Sequence, residues 1–289
     1  MTTKTNQWMR VRRVVIRLLT VYLPVSVLLL VVLLPYYWML AMSLKPYPEM
    51  FNYDKFSPFW PSDPTLDHYK YLFQKTKFWI WFKNSGYVAA VTTAVSLTIS
   101  TLAAYSLARL RFRGNVAISL GVFISYLVPG SLLFIPAVQI ASWLGLVGRQ
   151  TALLVFYPVG MIPFAIWVLM AYFQTIPPDL EECAMVDGAT RLQALRRIVL
   201  PLALPGLITV GIYNFTSAWN EFLYSMVLVY EATERTLPVA LTQQLAIGDH
   251  YYWGPLMAAA FLAGIPVVVL YSFVVDKYVS GLTGGAVKG

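Results

Sequence analysis

The residue types that most often carry chemistry in enzymes are scarce in this sequence and lie far apart. The chain has one cysteine, Cys183, and two histidines, His68 and His250, which fall in different loops between apolar segments. No Gly-Lys pair occurs among the 17 glycines, although a phosphate-binding loop requires Gly-Lys followed by Ser or Thr. We find no nucleophile–base set and no metal-ligand set. The sequence therefore predicts a non-enzymatic chain that holds neither a metal nor a cofactor of its own.

The most informative spacing lies in a charged segment between two long apolar runs. The segment follows the pattern E-x-A-x3-G-x9-I-x-L-P, which is occupied by Glu182, Ala184, Gly188, Ile198, Leu200 and Pro201. Acidic residues at 179, 181 and 182 follow two prolines. They suit the first turn of a helix, where the helix dipole favours negative charge. We interpret this loop, at about 177–201, as a docking site for another protein on the inner face of a membrane.

Local signals divide this loop into two short helices that meet at a glycine. Gly188 permits the left-handed conformation that ends a helix, and Thr190 with Gln193 forms a capping box that opens the next one. Pro201 is expected to stop the second helix. Helices this short are marginal alone in water and need a partner surface. The alternative is an amphipathic loop on lipid headgroups, which would usually be basic, whereas the first helix is acidic.

Composition places these signals in a membrane protein. The chain has 289 residues, of which 58% are hydrophobic and 12% are charged, whereas a soluble domain carries roughly 25% charged residues. Six uncharged runs each reach the ~20 residues that a spanning helix needs. The predicted fold is an all-α polytopic membrane protein, one transmembrane domain over 1–289 with spans at about 18–44, 85–108, 116–143, 151–173, 202–230 and 254–276.

The distribution of arginine indicates the orientation of these spans. With the N-terminus inside, ten arginines lie in inner segments and two in outer segments, as the positive-inside rule expects. Six lysines in the first outer loop weaken the asymmetry. We interpret Arg109, Arg111 and Arg113, in a short turn, as a stop signal at the inner lipid surface. This topology places both termini, including the Gly-rich tail 277–289, in the cytoplasm.

Polar residues near the outer end of the fifth span are candidates for a gate or a substrate path. They are Asn214, Trp219, Asn220 and Glu221. At ~1.5 Å per residue, Asn220 lies roughly 27 Å along a helix that starts near Leu202, close to the outer edge of the ~30 Å hydrocarbon core. A carboxylate that faces lipid there costs a few kcal/mol. The alternative to a gate is a helix-end residue that reaches interfacial water.

The residues from Pro178 to Gly206 resemble the coupling loop of permeases in binding-protein-dependent ABC importers. The chain also contains Trp219-Asn-Glu-Phe222 and ends in Gly281-Leu-Thr-Gly-Gly-Ala-Val-Lys-Gly289. With these additions it is similar, more narrowly, to the second permease subunit of maltose-type carbohydrate importers. The match runs from the first span to the last residue. Cys183 departs from the family, which usually has alanine at that position.

This resemblance implies the type I ABC importer permease fold in the bacterial inner membrane. The function it implies is half of a translocation path for a sugar or sugar-like solute. The implied partners are a second homologous permease, two subunits that bind ATP and Mg, and an extracytoplasmic solute-binding protein. The alternatives are a permease of the same superfamily for a non-sugar solute, and a stand-alone channel or secondary transporter.

The resemblance also implies which residues contact the ATP-binding subunits. In this family the first short helix sits in a cleft of the ATPase, where the glutamate at the Glu182 position pairs with a basic residue. The coupling residues expected here are Glu181, Glu182, Cys183, Ala184, Asp187, Gly188, Ala189, Arg191, Leu200 and Pro201. The tail residues Gly285, Ala286, Val287, Lys288 and Gly289 are expected to reach between the ATPase subunits. The outer loop at about 236–253 is expected to contact the binding protein.

Overall fold

Helices account for most of the chain. The structure, a computed structural model, describes residues 15–52, 57–248 and 250–286, with side chains described to Val274 except that of His250. Two short strands, β1 (Ala246–Ile247) and β2 (His250–Tyr251), precede the last helix. The helices in chain order are α1 (Val15–Ser43), α2 (Tyr47–Phe51), α3 (Asp67–Lys75), α4 (Phe78–Arg109), α5 (Asn115–Leu127), α6 (Gly130–Trp143), α7 (Thr151–Thr175), α8 (Asp179–Val186), α9 (Arg191–Leu202), α10 (Leu204–Asn220), α11 (Leu223–Leu228), α12 (Leu237–Leu245) and α13 (Trp253–Ala286).

Several helices are long and apolar enough to cross a membrane. Within the described residues these are α1, α4, α7 and the Trp253–Val274 part of α13. Two bent pairs meet the same criterion when taken together: α5 with α6, bent by 99°, and α9 with α10, bent by 79°. The described residues thus hold four spans, or up to six if each bent pair is one span. The count of six and the orientation of the termini stay predictions.

Helix breaks interrupt two of the predicted spans. The third, expected at 116–143, breaks at Val128 and Pro129, because a proline disfavours the helical conformation of the residue before it. The fifth, expected at 202–230, contains the bend at Ala203. Its helix α10 ends at Asn220, and a separate short helix, α11, follows. The last helix continues to Ala286, ten residues beyond the predicted end at 276.

The chain forms two compact units, of which the first comprises residues 1–76 and 248–262. Within it, the apolar side chains of α1 are exposed along nearly the whole helix, and none of the most apolar 18-residue window is buried. A hydrophobic surface of this size requires lipid or another subunit to cover it. The assignment of 1–289 to a single transmembrane domain stays a prediction.

A polar cluster is buried just after α1 in the same unit. Lys45 is only 1% exposed, and its Nζ donates to the Ser57 carbonyl oxygen at 2.6 Å. The Nε2 atom of His68 lies 2.8 Å from the carbonyl oxygen of Lys45, and the Glu49 carboxylate accepts the Ser62 amide hydrogen. Burial lowers the pKa of Lys45, and the nearby Glu49 charge opposes that shift. These contacts fix the chain that follows α1.

The second unit, residues 77–247 and 263–289, is centred on α4, α7 and α10. Its principal core lies between these helices and α9 and includes Tyr105, Leu169, Phe173, Val199 and Val210. Small and hydroxyl-bearing side chains of α4 are buried in the same unit; they are Ser85, Ala89, Thr92, Ser96, Ser100, Thr101 and Ala104. Such residues allow close helix–helix approach in membranes. This packing supports the segment between α7 and α10, where the predicted docking loop lies.

Candidate functional site

The predicted docking loop consists of α8, an elbow at Gly188 and α9. Gly188 has φ +89°, and its amide hydrogen bonds to the Met185 carbonyl, so the glycine ends α8 in the left-handed conformation. The capping box is confirmed: the Gln193 amide donates to Thr190 Oγ1 at 3.3 Å, and the Thr190 amide donates to Gln193 Oε1 at 2.8 Å. The two short helices are therefore present where the sequence predicted them.

The predicted end of the second short helix is wrong by two residues. Pro201 lies inside α9, and the bend to α10 occurs at Ala203. A wider π-helical turn, Leu195–Val199, precedes the proline. Pro201 is the second residue of the turn that follows, Leu200–Leu202, so the wider turn directly precedes the residue that lacks an amide hydrogen. Leu200 beside it is half-buried against the principal core, whereas Pro201 is exposed.

Most of α8 and the elbow faces outward. Glu182, Cys183, Asp187, Gly188 and Arg191 are exposed, while Ala184 and Ala189 are half-buried. Two apolar side chains stand out among them, since Val186 is 87% exposed and Leu192 is 66% exposed. The loop thus presents small, apolar and acidic groups on an exposed surface. We call it the elbow surface, and it comprises Glu182, Cys183, Val186, Asp187, Gly188, Arg191 and Leu192. Such a mixture suits docking to a protein that carries basic groups.

Glu181 departs from the expected surface set, because its carboxylate is buried. The residue is 5% exposed and is the one buried residue of α8. Its Oε1 atom lies 2.7 Å from Nε of Arg109, and its Oε2 atom accepts the Tyr105 hydroxyl at 2.7 Å. In this arrangement Glu181 holds α8 to the C-terminal end of α4 and presents no surface for a partner.

Arg109 likewise differs from its interpretation as one of three arginines at a lipid surface. Its side chain is 11% exposed, and its guanidinium also donates to the Ile176 carbonyl oxygen at 2.6 Å. Arg111 and Arg113 are exposed, which fits the original interpretation for those two residues. Sequence reasoning missed the role of Arg109. The available signal was the i, i+4 spacing of Tyr105 and Arg109, which places both on one face of a helix.

The four candidates in the predicted fifth span do not form one site. Asn214 is fully buried and donates to Ser96 Oγ at 3.0 Å, which joins α10 to α4. Trp219 is 4% exposed and donates through Nε1 to the Ala263 carbonyl oxygen at 3.1 Å. Both side chains hold helices together, and neither is open to a solute in this structure.

Asn220 and Glu221 lie at the break between α10 and α11. Asn220 is exposed, and its Nδ2 donates to the Thr216 carbonyl oxygen within the same helix. The Glu221 carboxylate accepts the amide hydrogens of Tyr224 at 2.9 Å and Ser225 at 3.2 Å, in the first turn of α11. These amides, together with the helix dipole, stabilise the negative charge. Glu221 therefore has structural partners, and Asn220 is the one exposed residue among the four candidates.

The C-terminal tail is described only in part. The backbone of Gly285 and Ala286 is the last turn of α13, while Val287, Lys288 and Gly289 lie outside the described residues. Among the described residues no group of three or more His, Cys, Asp or Glu side chains could hold a metal ion.

Comparison with known proteins agrees with this geometry. Residues 96–283, more than half of the chain, match the family model described as binding-protein-dependent transport system inner membrane component. The chain is 39% identical over 231 residues to the inner membrane ABC transporter permease protein YcjP of Escherichia coli (strain K12), covering 79% of this chain and 82% of that protein. It is 38% identical to the diacetylchitobiose uptake system permease protein DasC of Streptomyces coelicolor, covering 81% and 84%.

A third relative and a solved structure extend the comparison. The trehalose/maltose transport system permease protein MalG of Thermococcus litoralis is 35% identical over 79% of this chain and 78% of its own length. A chain in the crystal structure of a bacterial ABC transporter involved in the import of alginate has the same fold, with a TM-score of 0.77 at 22% identity, covering 96% of this chain and 98% of that one. With its apolar helices, this chain is a multi-pass protein of the bacterial inner membrane. It belongs to the family of binding-protein-dependent transport system inner membrane components, the permeases of ABC importers.

Proposed function

We propose that this permease forms half of the translocation path for a sugar in an ATP-driven importer. The other half is a second, homologous permease, and two ATP-binding subunits hold ATP and Mg. An extracytoplasmic binding protein delivers the solute. The chain itself carries no catalytic group for ATP hydrolysis and needs no cofactor, and its six spans leave both termini in the cytoplasm.

The elbow surface is the observation that carries this proposal. Glu182 and Asp187 are exposed acids on a short helix, beside the exposed Cys183 and Val186. A basic cleft in an ATP-binding subunit would pair with the acids and cover the apolar group. Gly188, Ala189, Arg191, Leu200 and Pro201 complete the coupling segment, and the tail from Gly285 to Gly289 reaches between the ATP-binding subunits.

The solute class is proposed from the names of the relatives. Diacetylchitobiose uptake is the printed role of one relative, and trehalose or maltose transport that of another. A maltodextrin transport system permease of Bacillus subtilis is 32% identical over 78% of this chain. We therefore expect a disaccharide or short oligosaccharide. Identification of the solute that the cognate binding protein carries is the direct test of this part.

Cys183 allows the docking site to be tested without an engineered cysteine in this chain. Inside-out membrane vesicles with both permeases, with or without the ATP-binding subunit, are treated with a membrane-impermeant maleimide. We expect Cys183 to react in the absence of that subunit and to be protected in its presence. As a control, Arg113→Cys in a Cys183→Ala background should react equally in both preparations. Equal labelling of Cys183 with and without the subunit would exclude the elbow surface as the docking site.

A further inference from the structure

The buried residue of helix α8 is a charged one and not an apolar one. All eight of its residues are described, and Glu181 is the one that is buried. The apolar residues of α8 that are most exposed, Leu180 at 44% and Val186 at 87%, face away from the core. Directional bonds to this one buried carboxylate therefore contribute to the position of α8, beside the contacts of the half-buried Ala184 and Met185.

These partners come from the inner end of α4. Arg109 contributes the ion pair to Oε1 of Glu181, and Tyr105 donates its hydroxyl to Oε2, each at 2.7 Å. The same arginine donates to the carbonyl oxygen of Ile176, the residue that follows α7. Tyr105 is itself fixed, because its ring packs edge-on against the buried Phe173 of α7. One cluster thus joins the ends of α4 and α7 to α8, and we call it the inner joint.

The environment of the inner joint makes it sensitive to the loss of any member. Both charged side chains are nearly buried, at 11% and 7% exposure. Removal of one partner of a buried ion pair leaves the other charge uncompensated and strongly destabilises that arrangement. Loss of the Tyr105 hydroxyl should have a smaller effect, since it leaves the ion pair and the packing of the ring intact.

We propose that Arg109 and Tyr105 are positioning residues that transmit the movement of α8 to the second span. This inference rests on the proposed function, in which an ATP-binding subunit grips the elbow surface. A displacement of α8 by that subunit pulls on Glu181, and the inner joint passes the displacement to α4. Helix α4 packs along α7 and α10, so the spans move with it. The turn residue Arg111, which is exposed, has no part in this transmission.

The test uses the complete importer in vesicles with a spin label on Arg113→Cys in a Cys183→Ala background, a position outside the elbow surface. Tyr105→Phe, Arg109→Gln and the conservative Arg109→Lys are compared with Arg111→Gln as the matched control. We expect Tyr105→Phe to retain complex yield and basal ATP hydrolysis, and Arg109→Gln to retain basal ATP hydrolysis per assembled complex. Solute transported per ATP hydrolysed should fall several-fold, and the label should become more mobile. Arg109→Lys should restore part of the ratio, and Arg111→Gln should resemble the wild type.

The outcomes separate this inference from the proposed function. If Cys183 is protected by the ATP-binding subunit but both joint variants keep the wild-type transport ratio and label mobility, the inner joint does not transmit movement. If transport and complex yield fall in proportion and the ratio is constant, the cluster only stabilises the fold, which also overturns the inference. If Cys183 is not protected in the wild type, the proposed docking itself fails.

Discussion

Two adjacent glutamates in the docking loop have opposite environments. Glu181 is buried against Arg109 and Tyr105, whereas Glu182 is exposed. On an eight-residue helix anchored at one side, neighbouring positions point about 100° apart, so one can face the protein while the next faces outward. A substitution at Glu181 should therefore disturb the position of α8 within this chain. A substitution at Glu182 should affect only what docks on it.

Gly188 combines a left-handed backbone conformation with a place in the proposed docking segment. A β-carbon would meet no atom within 4 Å, but φ is +89°, so a side chain is opposed by backbone strain and not by a clash. We expect Gly188→Val to abolish uptake at a cost of about 1–3 kcal/mol to the elbow. Membrane insertion should be unaffected, because the spans are untouched. Uptake of labelled solute and the amount of chain in membranes are the two measurements.

Gly188→Asn is the matched control for that substitution. Asparagine tolerates positive φ far better than a β-branched residue, so it should retain a large part of uptake. Equal loss of uptake in both variants would mean that any side chain at position 188 prevents docking through its volume. The backbone conformation would then not be the cause.

Glu221 illustrates how a polar residue near the membrane edge can have a structural explanation. Its carboxylate binds two amide groups of α11 at the point where α10 ends. The sequence alone placed it near the outer edge and left a gate and a water-facing helix end as alternatives. The helix break, which the sequence did not predict, provides the third possibility of a carboxylate that caps a helix.

At the scale of elements, capping and turn rules correctly predicted the features that depend only on residues close together in the sequence. Gly188 and the Thr190–Gln193 pair define two short helices through turns and caps that need no distant contact. The joint between Arg109 and Glu181 could not be located in this way, because it depends on how α4 and α8 pack. The bend at Ala203 lies two residues after Pro201, the expected helix stop, whereas at Pro129 the sequence did not decide between a kink and a helix end, since prolines in a membrane can kink a helix without ending it.

The contact between α10 and α7 depends on one glycine. A β-carbon on Gly206 would lie 2.5 Å from the ring of Tyr172, so the two helices approach too closely for any side chain there. We expect Gly206→Ala to destabilise the permease by about 1–3 kcal/mol through overpacking. The measurement is thermal unfolding of the purified complex in detergent.

Gly211, on the same helix, is the matched control for Gly206. A β-carbon at Gly211 would meet nothing within 4 Å. Gly211→Ala should therefore be neutral, or stabilising by about 0.5–1 kcal/mol, because alanine favours the helix. If both variants unfold at the same temperature, the close approach of α10 to Tyr172 does not limit stability.

At the scale of the whole molecule, exposed surfaces indicate that this chain works as part of an assembly. The apolar side chains of α1 are exposed, and so are those of the elbow surface. Lipid can cover the first, since a spanning helix satisfies its own backbone hydrogen bonds. The second carries acids beside apolar groups, which lipid headgroups do not match well. Each surface thus requires a different partner.

The topology of the complete chain is the prediction on which the docking proposal depends, because α8 must face the compartment that holds ATP. Ten arginines on the inner side against two on the outer side favour cytoplasmic termini. Reporter fusions after Arg113 and after Lys288 should report the cytoplasm, and a fusion after Arg149 the outside. Alkaline phosphatase, active only outside, and green fluorescent protein, fluorescent only inside, should give complementary signals at each site. The reverse pattern would place the elbow surface outside the cell and end the docking proposal together with the inner joint.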